Sequence, residues 1–116
     1  MQKMQELSGG QKTVMALSLI FALQRADPAA PFYIFDEIDA ALDVHTRRAL
    51  ADMLRLEAYY GRQIIITSFR PELLTIAEKI FKVHMHSRAS FINRVTVADA
   101  EDLIAEQRDQ NEGGMV

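Results

Sequence analysis

Six consecutive residues, Phe32-Tyr33-Ile34-Phe35-Asp36-Glu37, constrain this chain most. Four large apolar residues running straight into two acids have the pattern of a fully buried strand in a parallel sheet. The carboxyl end of such a strand delivers side chains to the cleft where open α/β sheets bind ligands. Two further acids, Asp39 and Asp43, follow closely. Ending an apolar run in paired charges wastes a buried position unless the acids do chemistry. If the strand continued through both, Asp36 and Glu37 would point to opposite faces and could not do the same job. The alternative is that they are loop acids capping a neighbouring helix.

The surrounding chain reads as cover for that strand. From Leu7-Ser8-Gly9-Gly10-Gln11-Lys12 a helix-forming run continues to Ala26, with Ser8 as its N-cap. Its apolar residues occupy two faces, Val14, Leu17 and Phe21 on one and Met15, Leu19 and Leu23 on the other, so the helix is expected to be buried nearly all round. Asp27-Pro28 stops it. After the acidic loop, Asp43 is a good N-cap for a helix reaching about Tyr60. Ala49, Leu50, Met53 and Leu54 are expected inside, with Arg47, Arg48, Asp52 and Arg55 outside, and Gly61 falls at the C-terminal break.

The β-branched run Ile64-Ile65-Ile66-Thr67 predicts a second buried strand. Strand, helix and strand at this spacing form a βαβ unit, which is parallel. Pro71 opens a short helix to about Lys79. Alternation then sets Phe81, Val83 and Met85 against Lys82, His84 and His86, as expected for a strand with one solvated face. Phe91–Val97 reads as its antiparallel partner, joined through Ser87–Ser90. Ala98–Gln107 predicts a last helix with Asp99 and Glu101 in its first turn. Residues 109–116 are expected to form a disordered tail.

A length of 116 residues suits one core, so residues 1–108 are expected to form a single α/β lobe. With 49% hydrophobic and 25% charged residues the balance is that of a globular chain rather than a disordered one. Cysteine is absent, which excludes a disulfide framework or a thiolate metal site. A net charge of −3 with scattered cations excludes the dense basic footprint of a dedicated nucleic-acid binder. The longest apolar stretch, Val14–Leu23, is too short to span a bilayer and lies too deep for a signal peptide.

Several residues can carry chemistry. Ser8-Gly9-Gly10 opens a helix, where unpaired backbone N–H groups and the positive dipole end favour an anion. The plainer reading is a glycine loop that merely caps a helix. Gly10-Gln11-Lys12-Thr13 is not a Walker A loop, because that loop needs glycine directly before its lysine and none of the five glycines here precedes one. Lys12 is then a helix-surface or partner contact. An acid at a strand end such as Asp36 commonly holds Mg²⁺, while its neighbour accepts a proton from an attacking water. Thr67 and Ser68 would overlook the same cleft, unless they are simply satisfied strand-end hydroxyls. His84 and His86 have a spacing that can chelate a metal, but no third ligand is evident and a solvated face explains them as well. His45 reads as an exposed residue near a helix start.

Laid out in this order, the chain resembles the C-terminal lobe of an ABC-type ATPase head of the structural maintenance of chromosomes (SMC) family. Leu7-Ser8-Gly9-Gly10-Gln11 is similar to the ABC signature, Phe32–Glu37 to Walker B, Ala41-Leu42-Asp43 to the D-loop, and Thr67–Arg70 falls at the switch loop. Gln11-Lys12, the run Phe35–Asp43 and Phe69-Arg70-Pro71-Glu72 are most similar to the cohesin branch of that family. The resemblance implies a parallel βαβ core with an antiparallel edge hairpin and covering helices. It also implies two heads that sandwich two ATP molecules, each bound by Walker A of one head and the signature of the other.

On that reading Ser8, Gly9 and Gly10, flanked by Leu7 and Gln11, would contact the γ-phosphate of the nucleotide on the partner head. Asp36 would support Mg²⁺, Glu37 would polarise the attacking water and Asp43 would reach across the dimer. The implied partners are an N-terminal lobe bearing Walker A, a second SMC head, a kleisin subunit and DNA, in a nuclear, chromosome-associated complex serving sister-chromatid cohesion. Phe69 falls where ABC proteins commonly place a γ-phosphate-sensing histidine, so that sensor must be reassigned or absent. Only six residues precede the signature, so the chain is expected to be one lobe of a larger head. Two alternatives stand: a structural lobe with weak or regulatory ATPase, and the head of another ABC-type coiled-coil DNA-repair ATPase.

Overall fold

The computed structural model describes residues 8–27 and 29–113. Leu7, Pro28 and the end of the expected tail, residues 114–116, lie outside the described residues. The elements run α1 (Gly9–Ala26), β1 (Phe32–Asp36), α2 (Val44–Tyr59), β2 (Gln63–Thr67), α3 (Pro71–Leu74), β3 (Ile80–His86), β4 (Ala89–Val95) and α4 (Val97–Gly113). Where one core was expected, the chain divides into two compact units, the first ending at Ser68 and the second beginning at Phe69.

In the first unit β1 and β2 pair in parallel, in register from Phe32 opposite Gln63 to Asp36 opposite Thr67, as the βαβ reading requires. Alternation sends Tyr33 and Phe35 to one face, where both are buried. There the Phe35 ring meets Phe21 of α1, centroids 5.6 Å apart. Leu17, Leu42, Leu50, Ala51 and Leu54 complete the core. The other face stays open, with Ile34 64% exposed and Phe32 and Ile65 each 47%. The fully buried strands expected from their apolar runs are therefore covered on one face only. Helix α1 shows the same pattern: only Leu17 and Phe21 are buried, while Met15, Leu19 and Leu23 are exposed.

Helix α2 begins where the Asp43 carboxylate accepts the Thr46 backbone N–H at 2.7 Å. It ends before Gly61, whose φ of 88° is the left-handed conformation that a helix exit favours. Its inner face differs from expectation. Ala49 is exposed, whereas Arg47 is buried and donates to the Leu42 carbonyl at 2.6 Å. The carbonyl that needs this donor lies just before the helix, so the arginine turns inward.

In the second unit α3 is a single turn; Thr75 donates its hydroxyl to the Glu72 carbonyl at 2.9 Å, and the helix stops short of the expected Lys79. Strands β3 and β4 form the expected antiparallel hairpin. Its turn is only Ser87-Arg88, both with positive φ (49° and 63°), the two-residue geometry that matches strand twist. The covered face is the opposite of the expected one: Phe81, Val83 and Met85 are exposed, while Lys82 and His84 are half-buried. Helix α4 packs on the Lys82 side, with Asp99 near enough to feel the Lys82 charge. A cap formed by Thr96 and Asp99 starts α4. It runs to Gly113, so residues 109–113, expected to be disordered, are helical. Among the described residues no helix is long and apolar enough to cross a membrane.

Candidate functional site

Two features of the first unit gather the residues singled out above. At the start of α1, Ser8 donates its backbone N–H to the Gln11 side-chain oxygen at 2.9 Å, and its hydroxyl accepts the Gln11 N–H at 3.2 Å. This reciprocal capping box fixes the loop. The Ser8 hydroxyl accepts in that bond, so its proton remains available to a ligand. A Cβ on Gly10 would lie 3.1 Å from the Ala41 carbonyl oxygen, whereas one on Gly9 would meet nothing within 4 Å. Gly10 is thus required by close approach of the next loop, and Gly9 faces open space.

The α1 start and the loop Ala41–Asp43 border one depression of about 690 Å³, lined also by Gln11, Val14 and Met15. Asp43 lies on its rim, exposed, and the Thr46 backbone N–H, helped by the Thr46 side chain, holds its carboxyl below the usual aspartate range. Ser8–Gln11 and Ala41–Asp43 are therefore neighbours within this chain. Lys12 and His45 are exposed.

The second feature is the acidic strand end. Strand β1 stops at Asp36, and Glu37 turns into the left-handed region with φ 49°. The strand does not continue through both acids, so the opposite-face arrangement does not arise. The Glu37 N–H is shared between the Thr67 carbonyl and the Thr67 hydroxyl, both at 3.1 Å. That hydroxyl in turn donates to Asp36 Oδ1 at 2.5 Å. Asp36 and Glu37 are both exposed. One residue on, the Ser68 hydroxyl donates to Asp39 Oδ2, and Asp39 is only 1% exposed. Thr67 and Ser68 are thus both engaged by acids, but different ones. Phe69 belongs to the second unit and is 59% exposed.

Among the described residues no group of three or more acids and histidines could hold a metal, and His84 instead stacks on Phe91, centroids 5.7 Å apart. Mg²⁺ does not need such a cage, since it keeps its waters and takes one or two carboxylates beside substrate phosphates. An exposed Asp36 with one oxygen fixed by Thr67 fits a Mg²⁺–phosphate site of that kind.

Besides Arg47, two buried acids of this unit escaped the sequence reading. Asp39 was one acid among four in a loop. Glu57, 3% exposed, pairs with Arg25 at 3.1 Å and Arg62 at 2.9 Å. A signal for Glu57 exists: it follows Leu50 and Leu54 at helical spacing, so it lies on their inner face.

The model of the RecF/RecN/SMC N terminal domain family matches residues 2–91. Structural maintenance of chromosomes protein 3 of Arabidopsis thaliana is 53% identical over 111 residues, covering 95% of this chain and 9% of that protein. A solved chain described as "Structural biochemistry of ATP-driven dimerization and DNA stimulated activation of SMC ATPases" superposes with TM-score 0.82 at 33% identity. It is covered to 65%, and this chain to 92%. The Pyrococcus furiosus Smc head domain bound to the C-terminal domain of ScpA gives TM-score 0.71 at 34% identity, over 92% of this chain and 26% of that one. The chain therefore spans less than a tenth of the curated relative it matches. With a family match over residues 2–91 and superpositions on solved SMC chains, one of them a head domain, the chain belongs to the SMC family as a segment of its head.

Proposed function

We propose that this chain is the C-terminal lobe of an SMC head and that it hydrolyses ATP at composite sites built with an N-terminal lobe and a second head. The observation that carries this reading is the Asp36–Thr67–Glu37 arrangement, an exposed acidic pair held at a parallel strand end by a neighbouring hydroxyl. Glu37 accepts the proton of the water that attacks the γ-phosphate. Asp36 would hold Mg²⁺, which when bound would neutralise charge on the transferring phosphoryl group. Ser8, Gly9 and Gly10, with Leu7 and Gln11 beside them, serve the nucleotide of the partner head through the α1 N-terminus. Asp43 reaches across the dimer, and Phe69, which has no hydrogen-bond donor on its side chain, leaves γ-phosphate sensing to another group.

The open apolar faces support an N-terminal lobe as a partner of this one. Phe32, Ile34 and Ile65 on the sheet and Met15, Leu19 and Leu23 on α1 are more apolar surface than an isolated chain keeps in water without a partner. A kleisin partner is supported by the ScpA-bound head, and DNA by the DNA stimulated activation ascribed to a similar ATPase. Likeness to the third SMC protein supports a nuclear, chromosome-associated role in sister-chromatid cohesion. In a reconstituted pair of heads Glu37→Gln should keep ATP-driven engagement and slow turnover by roughly 10²-fold or more, the scale of losing a general base. Unchanged turnover in that variant overturns the assignment.

A further inference from the structure

Glu57 lies far in sequence from the acidic pair, yet it ties together the two elements that carry the half-sites. Its carboxylate is 5% exposed and accepts from two arginines at once. Arg25, in the last turn of α1, reaches Oε1 at 3.1 Å, and Arg62, in the loop before β2, reaches Oε2 through Nε at 2.9 Å. Arg62 also donates to the Tyr33 hydroxyl, and its guanidinium lies 5.7 Å from the centroid of the Tyr33 ring. Tyr33 is the second residue of β1, three before Asp36. The same backbone closes the loop, since the Arg62 N–H donates to the Glu57 carbonyl at 3.3 Å.

The chain of contacts therefore runs from the C-terminal end of α1, through Glu57, to β1. The N-terminal end of that helix is Ser8 and Gly9, on the order of 27 Å away along an 18-residue helix. The C-terminal end of that strand is Asp36. A buried carboxylate is stable only when paired, and here its two partners point to different elements. Helix α1 and strand β1 also meet through an apolar contact, Phe21 on Phe35. Apolar contact permits sliding that a charge pair with fixed donors opposes.

We propose that Glu57 is a positioning residue that holds the signature helix in fixed relation to the acidic strand, and so couples the two half-sites this chain contributes. The inference rests on the function proposed above. It assigns each arm a different site: Arg25 steadies the signature, which serves the nucleotide of the partner head, and Arg62 with Tyr33 steadies β1, which serves the chain's own nucleotide.

The test uses the full-length protein paired with a second head, with turnover measured one site at a time. Glu37→Gln silences this chain's own site and reports the partner's; the equivalent change in the partner head does the reverse. Arg25→Gln should slow the site on the partner head roughly tenfold and change the chain's own site less than about twofold, the scale on which a small misplacement of a positioned group is felt. Arg25→Lys should restore most of that loss. Tyr33→Phe should show the opposite asymmetry, and Glu57→Gln should slow both. A purely structural role predicts lower melting temperatures with equal turnover per engaged pair at both sites, and that result overturns the proposal. If Glu37→Gln itself leaves turnover intact, the ATPase reading fails first, and the arms can be told apart from it.

Discussion

Replacing Gly10 and Gly9 in turn by alanine separates what the Ser8–Gln11 loop does for the fold from what it would do for a ligand. At Gly10 the new methyl carbon would lie 3.1 Å from the Ala41 carbonyl oxygen, where ordinary contact begins at 3.4 Å, and the obstacle is backbone that cannot swing aside. The Ala41 peptide must retreat by about 0.3 Å. Two energies oppose each other. Alanine is favoured over glycine in a helix by up to about 1 kcal/mol. Overpacking costs about 1–3 kcal/mol. The net is a loss on the order of 1 kcal/mol, too small to unfold a domain with about 5–15 kcal/mol in hand. At Gly9 the methyl meets nothing within 4 Å, so the helix gain stands alone and the variant is neutral or slightly stabilised. Urea unfolding of the complete head, with ATP-driven engagement measured on the same preparations, reads both effects. Gly10→Ala should lose stability and Gly9→Ala should not, while both weaken engagement. Gly9 does so because its open space is where a phosphate would approach. Equal stability losses refute the contact argument; full engagement by Gly9→Ala refutes the phosphate-facing assignment.

Two further outcomes follow from the caps and the buried acid. Asp43 and Asp99 are held below the 3.8 ordinary for aspartate, Asp43 chiefly by the Thr46 backbone N–H and Asp99 chiefly by the Thr96 hydroxyl. Because the folded values are depressed, the stability these caps contribute is complete above about pH 3.8 and disappears as pH falls through the lower folded values. Carboxyl NMR titration should place both below 3.8, and a value at or above it for either contradicts the cap. Asp39→Ala removes the acceptor of the Ser68 hydroxyl from a site 1% exposed, and should cost about 1–3 kcal/mol in denaturant unfolding; a loss under about 0.5 kcal/mol refutes a structural role for that pair.

Local signals in the sequence were enough for the first unit's frame. Strand β1, both N-caps, the exit at Gly61 and the parallel pairing all depend on neighbours within a few residues, or on the spacing of one βαβ unit. What escaped depends on which surface finds a cover. A period of two in Ile80–His86 says that the strand has two unlike faces, but not which one α4 will meet, and α4 meets the Lys82 face. The apolar runs of α1 and β1 signal burial that this stretch of chain supplies on one face only. Arg47 and Glu57 turn inward because a carbonyl and two arginines wait there, and hydropathy assigns both charged types to the surface. For the candidate site, the sequence supplies the candidate residues but not their geometry.

The acidic pair shows why geometry needed the fold. A non-glycine residue in the left-handed region costs roughly 1–2 kcal/mol, and Glu37 holds φ 49°. One N–H shared between two acceptors on Thr67 returns about 0.5–1.5 kcal/mol, enough to offset most of that strain. The same Thr67 hydroxyl that accepts from Glu37 donates to Asp36, so a single oxygen sets the conformation of one acid and orients the other. A straight strand would send the two carboxylates to opposite faces, where only one could reach a given phosphate. The turn at Glu37 removes that restriction. Thr67 lies 30 residues beyond Glu37 and reaches it only because β2 pairs in parallel with β1 at this register. The geometry of the pair is thus written in the second strand, at a position whose side chain taken alone reads as an ordinary satisfied hydroxyl.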